Sequence, residues 1–221
     1  MPHALIIGAS RGIGAEFVRQ YRAEGWQVTA TARSDEALAA LRAQGATAIA
    51  LDVASAESTS RLAWQLDGSA FDVIVHVAGV LVRQTGLAPP TDADFDHTMH
   101  ANVLAPMRVL PQLADMLAPG AKLALISSKM GSMGARAGTS SWLYRASKAA
   151  ANSVLKDISL EWAGKATCVS FHPGWVRTDM GGANADITAQ ESVASMRRVI
   201  AGLAPQDNGR FLNHDGSEIP W

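Results

Sequence analysis

Tyr144 and Lys148 stand four residues apart in Tyr144-Arg145-Ala146-Ser147-Lys148, a spacing that places both side chains on one face of a helix. A phenol of pKa ~10 is a poor acid or base at neutral pH, and a neighbouring ammonium stabilises phenolate and brings that pKa toward the working range. Ser128, after the apolar run Leu123-Ala124-Leu125-Ile126, can donate to a carbonyl oxygen beside the tyrosine. Together the three residues suit a carbonyl polarised for hydride delivery from a nicotinamide. Ser127 or Ser132 could take the serine's place, although the position at the strand end favours Ser128. A Tyr and a Lys four apart are, on their own, an ordinary amphipathic pair. The weight comes from a second feature near the start of the chain.

There Gly8-Ala9-Ser10-Arg11-Gly12-Ile13-Gly14 follows an apolar strand and opens into an amphipathic helix carrying Phe17, Val18 and Tyr21. Glycines let the backbone turn sharply and approach a ligand, while the open amides and dipole of the helix start favour a pyrophosphate. The spacing is GxxxGxG, neither the commonest dinucleotide fingerprint nor a P-loop, and a plain strand-to-helix connection is the bland alternative. Where an NAD-binding protein usually places an acid for the ribose 2′-hydroxyl, at the end of the second strand, this chain has Arg33. With Arg11 it could flank a 2′-phosphate, which favours NADP over NAD. Both arginines could equally be solvated, and Asp35 could reach the ribose. Asp52, at the end of the third strand, suits an adenine contact or a helix cap.

These residues need elements to hold them, and the chain alternates β-rich runs with helical stretches, the pattern of a parallel sheet covered on both faces. Strands are expected at 3–7, 27–31, 46–51, 71–77, 122–126, 167–172 and 210–213. Helices are expected at 12–24, 35–44, 57–65, 92–117, 142–162 and 189–201. Ser34 reads as a helix N-cap, with Asp35 favourable to the dipole. Pro106 and Pro111 mark a start, kink or break within 92–117.

With 221 residues, 48% of them hydrophobic, and net charge -1, the chain reads as one domain, residues 1–221, large enough to bury a core without disulfides or a structural metal. The near-neutral charge argues against a nucleic-acid binder, since nothing in the sequence resembles a basic stripe. The most apolar window, residues 71–82, is broken by Asp72 and His76 and falls short of the ~18 residues a membrane span needs. Met1-Pro2-His3 lacks a basic leader, so residues 4–7 read as a strand rather than a signal peptide. The single cysteine, Cys168, fits a reducing compartment, and the expected location is cytoplasmic.

The turn at 8–14, Asp52-Val53, Ala78-Gly79, Asn102, Ser127-Ser128, Tyr144 to Lys148 and Pro173-Gly174-Trp175-Val176-Arg177-Thr178 occur in order along nearly the whole chain. In this it resembles the short-chain dehydrogenases/reductases, with an ending and short length similar to the C-factor and sniffer-like carbonyl reductase branch. The resemblance implies a doubly wound α/β Rossmann-type sheet of order 3-2-1-4-5-6-7. It implies catalytic Ser128, Tyr144 and Lys148, with Asn102 positioning a water in a proton relay. Cofactor contacts would come from Gly8, Ser10, Arg11, Gly12, Ile13, Gly14, Arg33, Asp52, Val53, Ala78, Gly79, Tyr144, Lys148, Pro173, Gly174, Val176 and Thr178.

The activity expected is NADPH-dependent, reversible reduction of aldehydes or ketones to alcohols. The substrate would be a small carbonyl or alcohol, and the enzyme a homodimer or homotetramer built through the helices carrying Asn102 and Tyr144. A dinucleotide-binding regulatory or signalling protein with little turnover is the alternative. Pocket walls are expected from Met130, Trp142, Leu143, Trp175 and Met180, with few charges to demand a charged substrate, though any of these could be core or subunit contact. A glycine-hinged lid is expected near 178–192. The chain departs from the family at His76-Val77, which stand where two asparagines are usual. His76 would replace the lost sheet-stabilising bond through its ring. Ile7 replaces a threonine, at the cost of a local bond.

Overall fold

A computed structural model describes all residues from 1 to 221. In chain order the elements are β1 (His3–Ile7), α1 (Gly12–Ala23), β2 (Gln27–Ala32), α2 (Asp35–Ala43), β3 (Thr47–Ala50), α3 (Ala56–Ser60), α4 (Leu62–Gln65), β4 (Phe71–His76) and α5 (Asp92–Met99). A π-helical turn at His100–Leu104, α6 (Ala105–Val109) and a 3₁₀ segment at Leu110–Met116 lead into β5 (Leu117–Ile126). Then follow α7 (Trp142–Glu161), β6 (Ala166–His172), β7 (Val176–Arg177), β8 (Ile187–Thr188), α8 (Ala189–Gly202) and β9 (Arg210–Asn213). Seven strands form one sheet of order β3-β2-β1-β4-β5-β6-β9, and β7 pairs with β8 apart from it. Every pairing is parallel. Because β9 is the seventh strand of the main sheet, this is the expected doubly wound order.

The strands read as continuous apolar runs because both faces are covered. In β1 the two-residue period sends Ala4 and Ile6 into one layer, against Phe17 of α1, Leu38 of α2 and Met196 of α8. Leu5 and Ile7 enter the other, against Leu62 of α4, Val109 of α6 and Leu155 of α7. Cys168 lies in that second layer, and burial pushes its thiol up to about 12, so it is an inert core residue. The order of connection reverses at β1, which has β2 on one side and β4 on the other. That reversal opens a crevice at the strands' carboxyl ends, where such sheets bind ligands.

The structure redraws two expected helices. The 57–65 stretch breaks at Arg61 into α3 and α4. Thr59 Oγ1 bonds back to the carbonyls of Ser55 and Ala56, and Ser60 Oγ to that of Glu57, an alternative for carbonyls that a longer helix would use. The 92–117 stretch changes geometry at each proline. A π-turn, with Ala105 N–H bonded to His100 O, precedes Pro106, and Pro111 is the second residue of the 3₁₀ segment. The next strand begins at Leu117, earlier than the apolar run 122–126 suggested.

Candidate active site

The glycine turn sits at the reversal point, and sterics explain its composition. A Cβ on Gly8, whose φ is +88°, would lie 2.7 Å from Ala78 N, and one on Gly14 would lie 2.1 Å from Gly8 O. The turn and the Ala78-Gly79 segment therefore press together, and the amides of Val77 and Ala78 both donate to Ile7 O. The amides of Gly12, Ile13 and Gly14 have no backbone acceptor, and the Arg11 side chain does not cap the helix. Three open donors at the start of a 12-residue helix fit the pyrophosphate of a dinucleotide. Thr178 closes the far side, its methyl 3.2 Å from where a Cβ on Gly12 would be.

Thr31, at the end of β2, was not singled out from the sequence. Its hydroxyl accepts from Gly8 N–H at 3.0 Å while its carbonyl accepts from Ala9 N–H at 2.8 Å. This neighbour supplies a bond for the turn that Ile7 cannot.

Around the adenosine end of the crevice the candidates part company. Arg33 is exposed just beyond β2. Arg11 instead pairs with Asp179 at 2.9 Å, the two side chains 75% and 73% exposed. Ser34 caps α2 through Ala37 N–H, and Asp35 lies in that helix's first turn. Asp52 is not a helix cap, since Ser55 caps α3. One Asp52 oxygen accepts from Ala54 N–H at 3.1 Å, closing a local turn followed by Val53 and Ala54.

Ser128, Tyr144 and Lys148 are all buried where β5 ends against α7. Burial pushes the Tyr144 phenol up to about 12, opposed in part by the neighbouring Ser128 hydroxyl. The ammonium effect anticipated from the four-residue spacing does not offset this rise. Lys148 Nζ lies 5.7 Å from the ring centroid, donates to Ile126 O at 3.0 Å, and is itself pushed down to about 8 by burial. Ser127 Oγ turns to Lys148 O at 3.4 Å, and Ser132 Oγ donates to Pro220 O. Both alternative hydroxyls are thereby committed to backbone carbonyls.

Asn102 occupies the π-turn. Its side chain donates to Val80 O and Ser147 Oγ, each at 2.9 Å, and accepts from Val80 N–H at 2.8 Å. Its amide group is thereby committed to protein partners, while its main-chain carbonyl lacks the usual i+4 donor because that residue is Pro106. A Cβ on Gly79 would approach Asn102 Oδ1 at 3.0 Å and Lys148 Nζ at 3.2 Å. Glycine at 79 is what lets the helix pair and the β4 loop meet.

His76 does not supply the bond expected of it. Its ring is 1% exposed and neither nitrogen has a partner. Burial, then the Lys148 charge, pushes its pKa down to about 3, so the ring is neutral at physiological pH. The two-residue period of β4 puts His76 on the same face as Ile74, in the layer that α7 covers.

A cavity of about 590 Å³ runs from Ile13 and Thr178 past Pro173, Gly174 and Val176 to Ser128 and Tyr144. Met130, Trp175 and Met180 line it as expected. Trp142 and Leu143 do not: Trp142 donates to Ala88 O at 3.0 Å and Leu143 is buried. Residues 178–186 bridge β7 and β8 with internal bonds, among them Gly182 N–H to Thr178 O at 2.8 Å. The segment ends sooner than the expected 192, because a Thr188–Glu191 capping box starts α8 at Ala189.

The short chain dehydrogenase family model matches residues 2–188. The chain is 39% identical over 153 residues to C-signal of Myxococcus xanthus, covering 68% of this chain and 92% of that protein. It superposes on the carbonyl reductase Sniffer of D. melanogaster with TM-score 0.91 and 25% identity, covering all of both chains. A carbonyl reductase from Pseudomonas aeruginosa PAO1, in complex with NADP, gives TM-score 0.87 and 30% identity over the same full coverage. A cradle of unpaired amides at the sheet's reversal, a serine–tyrosine–lysine cluster beside it and this match over most of its length make the chain a member of the short-chain dehydrogenase/reductase family of NAD(P)H oxidoreductases.

Proposed function

We propose that this chain is an NADPH-dependent reductase of aldehydes and ketones, with Tyr144 as proton donor. The observation that carries the reading is the buried Tyr144 phenol, which lines with Ser128 a cavity that continues to the glycine turn. A hydroxyl whose pKa is about 12 keeps its proton at neutral pH, which suits the donor required in reduction better than the base required in alcohol oxidation. Gly8, Ser10, Gly12, Ile13 and Gly14 would cradle the pyrophosphate, Arg33 and Arg11 the 2′-phosphate, and Asp52 and Val53 the adenine. Ala78, Gly79, Pro173, Gly174, Val176 and Thr178 would flank the nicotinamide half, with Lys148 on its ribose. NADPH held there would supply a hydride for the carbonyl carbon, becoming NADP⁺.

Ser128 donates a hydrogen bond to the carbonyl oxygen and stabilises the charge that develops there. Tyr144 passes its hydroxyl proton to that oxygen, giving the alcohol. Lys148, charged below its pKa of about 8, stabilises the phenolate left behind. The Asn102 carbonyl, lacking an amide partner at Pro106, would hold a water that returns the proton. NADP-bound carbonyl reductase among the structural neighbours supports the cofactor and the reaction class.

Exposed Phe95 and Met107, on either side of the turn that carries Asn102, and Leu160 on α7 support association through the helices carrying Asn102 and Tyr144 into a homodimer or homotetramer. No helix is long and apolar enough to cross a membrane; the reading of a cytoplasmic location rests on the lone buried thiol of Cys168.

The test is NADPH consumption across a panel of aldehydes and ketones. Tyr144→Phe should bind NADPH as the wild type does and lose several orders of magnitude in kcat. Near-full turnover in that variant would remove Tyr144 from its role. The similarity to C-signal favours a second reading, a cofactor-binding signalling protein with little turnover. It predicts NADPH binding without consumption for every compound.

A further inference from the structure

The wall of the cavity carries more charge than the sequence suggested, and all of it has one sign. Arg83, Lys129 and Arg145 line it, and no Asp or Glu does. The chain as a whole has 19 Lys and Arg against 20 Asp and Glu, so the imbalance is local. None of the three has a carboxylate within the 4.0 Å of an ion pair, whereas Arg11, Arg19, Arg61, Arg197 and Arg210 all do. Arg83 spends one donor on Met180 O at 2.6 Å and Arg145 one on Ser140 O at 2.9 Å. A guanidinium has five N–H donors, so each retains capacity for a ligand. His172 lines the same wall but adds no charge, since burial, with His214 and Lys129 nearby, pushes it down to about 4.

Two of the cations are placed by the catalytic cluster itself. Lys129 follows Ser128 and Arg145 follows Tyr144. The acceptor site for a carbonyl oxygen is thus flanked by positive charge on both elements that build it. The remaining lining includes Leu81, Met130, Trp175 and Met180. The open amides for a pyrophosphate lie at Gly12 to Gly14, on a different element from any of the three cations. A cleft with low-dielectric walls and one sign of charge concentrates ligands of the other sign.

We propose that the substrates are carbonyl compounds carrying an anionic group, a carboxylate in the simplest form, on an apolar body. This rests on the reductase reading above. Arg145, half-buried, would contribute most, and Arg83 and Lys129, both exposed, less.

The experiment measures kcat/KM with saturating NADPH for 3- and 4-formylbenzoate, for their methyl esters, matched in size, and for benzaldehyde. At low ionic strength at least one formylbenzoate should exceed its ester and benzaldehyde by about tenfold, with the advantage shrinking as salt rises. Arg145→Gln and Lys129→Gln should each cut the acid-to-ester ratio several-fold. Ratios of one or below in the wild type overturn the proposal. So does a loss of NADPH affinity in both variants with the ratio unchanged, which would assign these cations to the cofactor. If no aldehyde is reduced, the reductase reading fails separately. Calorimetric titration of the same compounds into the NADPH-loaded protein then decides: preferential binding of a carboxylate supports the proposal and equal binding overturns it.

Discussion

Lys148 is the residue at which function and stability pull hardest against each other. Its ammonium is 5% exposed, bonded to Ile126 O alone, and its pKa is depressed from 10.5 to about 8. A lysine whose folded-state pKa is depressed disfavours folding below that pKa, and the penalty fades as pH rises from about 8 to 10.5. Lys148→Met should therefore stabilise the fold at pH 7 by about 2 kcal/mol, after allowing for the lost hydrogen bond, while turnover collapses. Chemical denaturation and an NADPH assay on the same preparation check both halves; a destabilised variant would show that the buried charge is compensated. The sequence revealed the Tyr144–Lys148 pair because helical spacing is a local property. It did not reveal that the ammonium stops 5.7 Å from the ring, because that depends on where β5 presents a carbonyl. Thr31 stayed hidden for a similar reason: only the parallel register that pairs β1 with β2 carries its hydroxyl to the Gly8 amide.

Among the elements, α7 is held at its entrance by a strained residue. Ser141, its N-cap, has φ +53° and ψ +47°, the only non-glycine residue with positive φ. Its amide donates to Gln84 O at 2.9 Å, and Gln84 Oε1 accepts from Leu143 N–H at 3.4 Å. The helix carrying Tyr144 is thereby pinned to the loop after β4. A left-handed conformation costs an L-residue roughly 1–2 kcal/mol, and more for a β-branched one. Ser141→Val should destabilise by about 2 kcal/mol and lower kcat, whereas Ser141→Gly should stay within about 1 kcal/mol of the wild type. Equal melting of the two variants would mean that the backbone relaxes. This strain had no sequence signal, since a serine before a helix normally advertises an extended N-cap, as Ser34 and Ser55 show. By contrast β1 and β9 were legible to the residue, because alternating or continuous apolar runs ended at clear turn signals.

For the molecule as a whole, buried histidines set the response to acid. His76 and His172 have folded-state pKa values of about 3 and about 4, and His3 is also lowered by burial. Below the unfolded value of 6.5 the unfolded chain takes up protons that the folded one refuses, so stability is full above pH 6.5 and falls as pH drops toward the folded values. His76 and His172 should each remove about 2 kcal/mol by pH 5, at ~1.4 kcal/mol per pH unit. The lowered carboxylates, Glu16, Glu24 and Glu191 from 4.5 and Asp215 from 3.8, lie mostly below this window. Denaturation at pH 7, 6 and 5 should show the loss, and His76→Asn should roughly halve it. A flat profile would mean that the ring nitrogens find partners when protonated.

The ion pair between Arg11 and Asp179 ties the glycine turn to the 178–186 segment, and Arg83 ties the same segment through Met180 O. Both arginines are the ones that incoming anions would recruit: a 2′-phosphate at Arg11, a substrate carboxylate at Arg83. At Arg11 occupancy and unlatching are then thermodynamically reciprocal, the phosphate competing with Asp179 for the guanidinium, whereas Arg83 keeps donors free for both partners. Because the Arg11–Asp179 pair is largely exposed, the competition is mild. Asp179→Asn should relieve it, tightening NADPH two- to five-fold while leaving NADH unaffected, as read by titrating each cofactor. Equal tightening of both would mean that Asp179 repels the pyrophosphate they share, and the segment would be a screen against all dinucleotides rather than a latch that yields to one.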